Sequence, residues 1–342
     1  MLDKNTLQEI QVDITSYCNS FCPGCSRNVD GGAVNDRLPL MHMDKKVWQE
    51  IARFVDNYPI KSIIFNGNYG DASNHPMIVE MLDMITKKDI EVLFHTNGGA
   101  RDTIFWKNLA ESLSTFKLGI VVFSIDGLED TNHLHRRNVD WDALMNNVSS
   151  FINSGGKAKW RMILFEHNVH QIKQAKKMAM NLGFASFSLH RSYFKNYNIP
   201  KYKNFQAYEI IGVDENKVKK YNTKYRYETK EFSSSKIEKY KLESLCPWQE
   251  MARIQIDVDG TVWPCCYQQY RHDLHFDWQL FTDTPSNEPM LNAYKTYGRN
   301  FNVLTHSNLD SILDSKFFQN DLAKFWKKKT SNICIEHCLK RR

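Results

Sequence analysis

Through the first 190 residues, short dense apolar runs alternate with stretches whose apolar residues recur at helical spacing. Six runs stand out: Glu9–Thr15, Ser62–Gly67, Glu91–Gly98, Gly119–Asp126, Lys159–Phe165 and Phe184–His190. Most are near-continuous and rich in β-branched or aromatic side chains, as expected of strands buried in a parallel sheet. Between them lie amphipathic stripes. Val47, Ile51, Phe54 and Val55 form one, Ile78, Met81, Leu82 and Ile85 another, and Leu144, Val148 and Phe151 a third. Pro76 stands near the start of the second helix, where its missing N–H costs nothing. Strand and helix alternate six times, which predicts right-handed parallel βα units. The expected fold class is α/β, a partial (β/α)6 barrel of the TIM type. Such folds place their site at the carboxyl ends of the strands.

The pattern breaks over 193–245, a Tyr- and Lys-rich stretch without a long amphipathic period. It reads as a linker or a substrate-facing insertion. The expected organisation is therefore a barrel over 1–192, this basic segment, and a small C-terminal unit over 246–342. Residues 195–241 hold 12 Lys and Arg against 6 Asp and Glu, which equals the net +6 of the whole chain. Basicity confined to one segment argues against a general nucleic-acid coat.

Length and composition fit an ordinary globular protein with one large domain and a small one. No apolar run approaches the ~20 residues that span a bilayer. The N-terminal MLDKNTLQEIQVDI lacks the basic start and apolar stretch of a signal peptide. A cytoplasmic location is the expectation. In a reducing compartment the eight cysteines read as metal ligands rather than disulfides. They fall into Cys18/Cys22/Cys25, Cys246/Cys265/Cys266 and Cys334/Cys338.

Cys18, Cys22 and Cys25 form a C-x3-C-x2-C triplet just after the first strand, at the predicted catalytic face. Three close thiols can hold three irons of a cubane cluster and leave the fourth open. A pure electron relay takes four cysteines, so an open corner points to chemistry. Two plainer readings stay open: zinc ligands with a distant fourth, or buried thiols that happen to be close.

The triplet resembles the cluster loop of the radical S-adenosylmethionine (SAM) enzymes, and further motifs follow in order. Tyr69-Gly70-Asp71-Ala72 stands where that family carries Gly-Gly-Glu-Pro, and His75-Pro76 keeps the spacing of a following His-Pro. Asp71 and Ala72 depart from the usual Glu and Pro but leave acceptors in place. The third run ends in His95-Thr96-Asn97-Gly98-Gly99 and the fourth in Ser124-Ile125-Asp126-Gly127. Alone, each reads as a strand-to-turn exit; the order and placement carry the resemblance. It implies that Gly70, Asp71 and Asn97 face SAM, that Ser124 and Asp126 lie near its ribose, and that Arg161 pairs with its carboxylate. His190-Arg191 falls at the rim facing adenine or substrate. The residue before the third cysteine is often aromatic in this family; here it is Gly24, leaving Phe21 and Tyr17 as candidate stacking partners.

Downstream, Cys246 and Cys265 flank Gly260 with 13 and 4 residues between, and Val258-Asp259-Gly260-Thr261 signals a hairpin. With Cys334 and Cys338 they make four. This resembles the twitch or shortened SPASM extension of some radical SAM enzymes, with one auxiliary 4Fe–4S cluster. Two separated cysteine pairs also suit zinc. Cys266 is left over: an inert thiol, an alternate ligand, or a hydrogen donor to a substrate radical.

The resemblance implies an oxidoreductase or maturase that cleaves SAM reductively and abstracts hydrogen from a substrate C–H bond. It implies a 4Fe–4S cluster with SAM on its open iron, and an electron donor such as flavodoxin or ferredoxin. Oxidative modification or crosslinking of a peptide or protein is the leading expectation. Dehydrogenation or rearrangement of a small polar metabolite is the alternative, and a non-catalytic zinc-binding protein is an alternative of another class.

Overall fold

The computed structural model describes residues 2–192, 196–229, 246–266, 268, 289–328 and 334. All six predicted strands are present, trimmed or shifted at their ends: β1 (Glu9–Val12), β2 (Ser62–Phe65), β3 (Glu91–Thr96), β4 (Leu118–Ser124), β5 (Lys157–Leu164) and β6 (Ser186–Arg191). Each pairs parallel with the next. The helices between them are α1 (Lys45–Asn57), α2 (Ile78–Asp83), α3 (Thr103–Ser114), α4 (Glu129–His135), α5 (Trp141–Asn153) and α6 (Ile172–Leu182). Asp44, Asp102 and Asp140 cap α1, α3 and α5 by accepting from backbone amides of the first turn. The molecule is an α/β fold on a largely parallel sheet.

The two faces of the sheet differ. Ile10, Val12, Ile63, Phe65, Val92, Phe94, Val121, Phe123, Trp160 and Met162 join the helices in one large core. The buried indoles of Trp48, Trp106 and Trp160 each donate to a backbone carbonyl, so burial leaves no orphan N–H. The other face is mixed, with many polar side chains beside a small apolar cluster of Ile120 and Val122. On β5, buried Ala158, Trp160, Met162 and Leu164 alternate with half-buried Lys157, Lys159, Arg161 and Ile163. Glu9, Gln11 and Asp13 stand opposite Ile10 and Val12 and are also buried. The two acids are partnered: Ser62 Oγ donates to Glu9 at 2.8 Å, and Asn68 Nδ2 and Gln255 Nε2 donate to Asp13 at 2.9 and 3.2 Å. A parallel sheet packed by apolar side chains alone would not tolerate such a face. It suits a polar interior.

Residues 196–229 are more ordered than their sequence suggests. A hairpin pairs β7 (Asn196–Ile199) with β8 (Tyr208–Ile211), helix α7 spans Glu215–Tyr225, and β9 (Tyr227–Glu228) adds antiparallel to β6. Only Val218 of α7 is fully buried, with Tyr221 and Tyr225 packed half-buried on the same face, so no long amphipathic stripe shows. Its start is set instead by the Asp214 cap. The rest of the expected 193–245 linker, residues 193–195 and 230–245, lies outside the described residues.

The C-terminal segment shares the sheet. After α8 (Pro247–Glu250), β10 (Arg253–Ile256) pairs parallel with β1. β11 (Val262–Trp263) returns antiparallel through Gly260, whose φ of +85° is what the predicted turn requires. The strand order is β11–β10–β1–β2–β3–β4–β5–β6–β9. Helices α9 (Pro289–Tyr297), α10 (Leu309–Leu313) and α11 (Leu322–Lys328) follow. Ile254, Ile256, Met290, Leu309 and Phe317 enter the same core as the first six strands. Arg53 and Tyr58 of the α1 end both bond the Asp310 carboxylate of α10.

Candidate active site

At the carboxyl ends of β1 to β6 opens a cavity of about 340 Å³, within the range of small-molecule sites. Each strand or the loop after it supplies a wall. Cys18, Cys22 and Cys25 come from the loop after β1, Gly70 and Asp71 from that after β2, and Asn97 from that after β3; Ser124 ends β4, and Arg161 lies on β5. Of the sequence-predicted SAM-facing residues only Asp126 does not line it. Asp126 is fully buried behind the wall, where it accepts from the Ile163 amide at 2.6 Å and His135 Nδ1 at 2.7 Å and pairs with Arg136 Nε at 2.7 Å. Burial opposes its ionisation, but Arg136, His135 and that amide outweigh it and hold the carboxyl at about 2.

The cysteine loop is tightly turned. The Cys25 amide donates to the Cys22 carbonyl at 3.2 Å. Gly24 sits at φ +74°, left-handed backbone that a bulky residue enters only with strain. That accounts for the missing aromatic. Neither candidate replacement reaches the cavity: Tyr17 stacks on His42 at 4.6 Å and Phe21 packs edge-on to Tyr202 at 5.6 Å. Among the described residues the rings that do line it are Tyr197 of β7 and the imidazoles of His95 and His135.

The sulfurs are supplied with donors. Ser20 N lies 3.4 Å and Asn97 Nδ2 3.6 Å from Cys18 Sγ, and Arg136 Nη1 lies 3.7 Å from Cys22 Sγ; Ser20 Oγ, 2.9 Å from Cys22 Sγ, gives its own proton to the Arg137 carbonyl. Burial pushes the Cys18 thiol up, and lifts Cys25 to about 11. Such thiols ionise when a metal takes the proton's place, so binding would release protons. Among the described residues no three His, Cys, Asp or Glu gather closely enough to hold a single ion. The donor set and the adjoining cavity fit a cluster with a ligand on its open corner.

The bed of this loop was invisible to sequence reasoning. His135-Arg136-Arg137-Asn138, at the end of α4, touches it residue after residue. His135 bonds the Pro23 backbone, Arg136 reaches Cys22, and Arg137 Nη1 donates to the Gly31 carbonyl at 2.8 Å. The Arg137 carbonyl accepts from Ser20 Oγ and Phe21 N, and Asn138 Nδ2 donates to the Asn19 carbonyl at 2.6 Å. A four-residue polar run just beyond the Ser124–Gly127 exit was the available signal.

On the cavity's inner wall, burial lowers His95 to about 3, and Arg161 and Lys159 add to the shift, so its imidazole is neutral. His190, next to last in β6, is half-buried with its Nε2 3.1 Å from Ser188 Oγ, and Arg191, which ends the strand, is the member of the expected rim pair that lines the cavity.

Of the second cysteine set, Cys246, Cys265, Cys266 and Cys334 are described and Cys338 lies outside. Burial, and then repulsion from Cys266, Cys246 and Cys334 in that order, push Cys265 far up.

A parallel sheet with a three-cysteine loop at its carboxyl end defines a class, and comparison with known proteins agrees. Residues 12–179 match the family model of the Radical SAM superfamily, so the chain carries a Radical SAM domain. A curated relative is the tungsten-containing aldehyde ferredoxin oxidoreductase cofactor-modifying protein of Pyrococcus furiosus. It is 24% identical over 122 residues, 36% of this chain and 32% of that protein, so the match spans about a third of the relative. Among solved structures, SuiB of Streptococcus suis bound to S-adenosylmethionine matches with a TM-score of 0.56 at 17% identity, over 80% of this chain and 63% of SuiB. Native anSMEcpe with bound AdoMet matches with a TM-score of 0.53 at 14% identity, over 98% of this chain and 97% of that one. At such identities the likeness is one of fold. Among the described residues no helix is long and apolar enough to cross a membrane.

Proposed function

We propose that this chain is a radical SAM enzyme that holds a 4Fe–4S cluster on Cys18, Cys22 and Cys25 and SAM in the adjoining cavity. The observation that carries it is the meeting of those three thiols with Gly70, Asp71, Asn97, Ser124 and Arg161 around one cavity inside a Radical SAM domain. When bound, the pair supplies a 5′-deoxyadenosyl radical that removes hydrogen from a substrate C–H bond. This chain's residues do the holding. Gly70 brings backbone close to the ligand. Asp71 fixes Asn97 and its loop. Arg161 is placed to pair with a carboxylate, with Ser124 beside it. Tyr197 and the β7–β8 hairpin shield one side from water. The sheet is best read as a partial (β/α)6 barrel whose polar inner face receives the substrate.

Cys246, Cys265, Cys334 and Cys338 would hold an auxiliary cluster in a twitch- or SPASM-like unit over 246–342. It would accept an electron from the substrate radical or brace the fold. Oxidative modification of a peptide or protein is the favoured outcome. SuiB has been solved bound to its precursor peptide SuiA, and it shares this fold. A small polar metabolite is the competing substrate. The electron would come from a flavodoxin- or ferredoxin-type donor in the cytoplasm.

Anaerobic iron and sulfide analysis with a 5′-deoxyadenosine assay tests this. About eight irons per chain are expected for two cubanes, with deoxyadenosine formed on reduction in the presence of SAM. Replacing Cys18, Cys22 and Cys25 by Ser should remove about half the iron and all the deoxyadenosine. One or two zincs without sulfide would instead establish a metal-binding protein without this chemistry.

A further inference from the structure

The end of α4 does more than support the cysteine loop. Arg136 bridges two charges. Its Nη1 lies 3.7 Å from Cys22 Sγ and its Nε 2.7 Å from the Asp126 carboxylate. Asp126 is fully buried and Arg136 is 15% exposed, so solvent screens these charges little. We propose that Arg136 sets the reduction potential of the cluster at Cys22, and that Asp126 moderates it from behind. The proposal rests on the reading of Cys18, Cys22 and Cys25 as cluster ligands. Neither residue has been assigned an electronic role above: Arg136 was not singled out by sequence, and Asp126 was expected at the ribose.

The physical argument concerns one electron. Reduction adds a negative charge to the cluster and its thiolates. A guanidinium against one sulfur stabilises the charged, reduced form, and hydrogen bonds to sulfur act in the same direction. Arg136 therefore raises the potential and makes electron entry easier. Asp126 withdraws part of that help, because its carboxylate neutralises the same guanidinium. His135 cannot substitute. Its Nδ1 faces Asp126, its other contact is the Pro23 backbone, and burial lowers its pKa. The remaining contacts to Cys22 and Cys18 come from Ser20 and Asn97, which are neutral. Arg136 is thus a cation in direct contact with a cluster sulfur. Arg27, whose charge also reaches Cys25, is engaged with the Ser16 carbonyl and Asn28.

The two residues should act with opposite signs, which a merely structural role would not produce. The test is an anaerobic redox titration of the reconstituted cluster, followed by electron paramagnetic resonance without SAM or substrate. Arg136→Met should make one-electron reduction at least about tenfold less favourable, a fall of about 59 mV for a one-electron couple. Asp126→Asn should move the midpoint upward. Arg136→Lys keeps the charge and should recover part of the fall. An unchanged midpoint in Arg136→Met or Asp126→Asn, or shifts of the same sign in both, overturns the proposal. If Arg136→Met fails to assemble a cluster, the upward shift in Asp126→Asn and the partial fall in Arg136→Lys decide. Wild-type protein that assembles no iron–sulfur cluster defeats the reading of the thiols instead, so the two failures stay distinct.

Discussion

The Asp71 carboxylate accepts the backbone amide of Asn97 at 2.7 Å, which ties the loop after β2 to the exit of β3. The same carboxylate accepts from Ser73 N at 3.0 Å, Ser73 Oγ at 2.7 Å and Thr96 Oγ1 at 3.0 Å. Asp71 is buried, so these donors have no water to turn to. Asp71→Ala strands them, and a loss of about 2–4 kcal/mol is expected, since stranded donors cost more than the bonds they made. Asp71→Asn keeps one carbonyl acceptor and should cost roughly half. Urea unfolding of the two variants measures this. Equal stability of Asp71→Ala and wild type would show that the loop reorganises without cost.

Gly70 is required for a different reason. A Cβ built there would fall 2.0 Å from the Thr15 carbonyl oxygen, which belongs to the backbone leading into the cysteine loop. Backbone cannot swing aside as a flexible side chain can. Gly70→Ala should therefore separate the two loops, destabilise the protein by about 1–3 kcal/mol, and weaken SAM binding at least about tenfold. Gly155 is the control. Nothing lies within 4 Å of its added Cβ, although its φ of +86° adds modest strain. Isothermal titration with SAM on both variants gives the comparison. Equal affinity in Gly70→Ala and Gly155→Ala would defeat the steric argument.

Much of this was legible along the chain, for physical reasons. The six strands announce themselves because parallel strands bury their core-facing apolar residues in dense runs. The cysteine triplet and strand-end motifs are local and read directly. What stayed hidden depends on contacts between distant segments. Helix α7 fully buries only Val218, with the half-buried Tyr221 and Tyr225 beside it, so its stripe is short and carries two polar-tipped rings. β10 looks like half of an isolated hairpin until its register on β1, Glu9 against Arg253, joins it to the main sheet. Asp126 was expected at the ligand because it ends a strand. It turns away because Arg136 and His135, on the next helix, offer it charge and a donor. Tyr197 sits in a segment whose Tyr and Lys content masked a hairpin.

Arg137 pins that hairpin. It is fully buried. Its Nε donates to Tyr208 Oη at 3.0 Å, its guanidinium lies over the Phe205 and Tyr208 rings at 5.1 and 4.9 Å, and its Nη1 holds Gly31 at 2.8 Å. One side chain thus joins the β7–β8 hairpin to the cysteine loop. Arg137→Ala should cost about 3 kcal/mol and speed protease cleavage between residues 200 and 207. Arg137→Lys should rescue little, because a single ammonium cannot reproduce the planar fork or its stacking. Limited proteolysis timed against global unfolding separates local release from general instability. Cleavage of Arg137→Ala at the wild-type rate would remove the pinning role.

Acid should destabilise the fold before its carboxylates titrate, through His75. The Met77 amide donates to His75 Nδ1 at 3.2 Å, and Nε2 faces the Met43 carbonyl at 3.3 Å. Nδ1 must therefore be bare and Nε2 protonated, which is the neutral ring. Burial is the main force that lowers His75 to about 4; His42 and Arg101 add to it, and the Met43 carbonyl opposes it. In the unfolded chain the ring takes its proton near the ordinary value of about 6.5. The unfolded state then binds more protons between these values, so stability is complete above about pH 6.5 and falls as pH drops toward 4. The shift corresponds to on the order of 1–3 kcal/mol at the low end. His167 and His95, lowered mainly by burial to about 4 and about 3, and His135, lowered in the same direction by burial, act in the same sense and should leave a residual slope. Urea midpoints of wild type and His75→Gln, measured from pH 7.5 to 4, should converge as pH falls, because the variant has less stability to lose. Parallel curves would show that His75 does not carry this proton linkage.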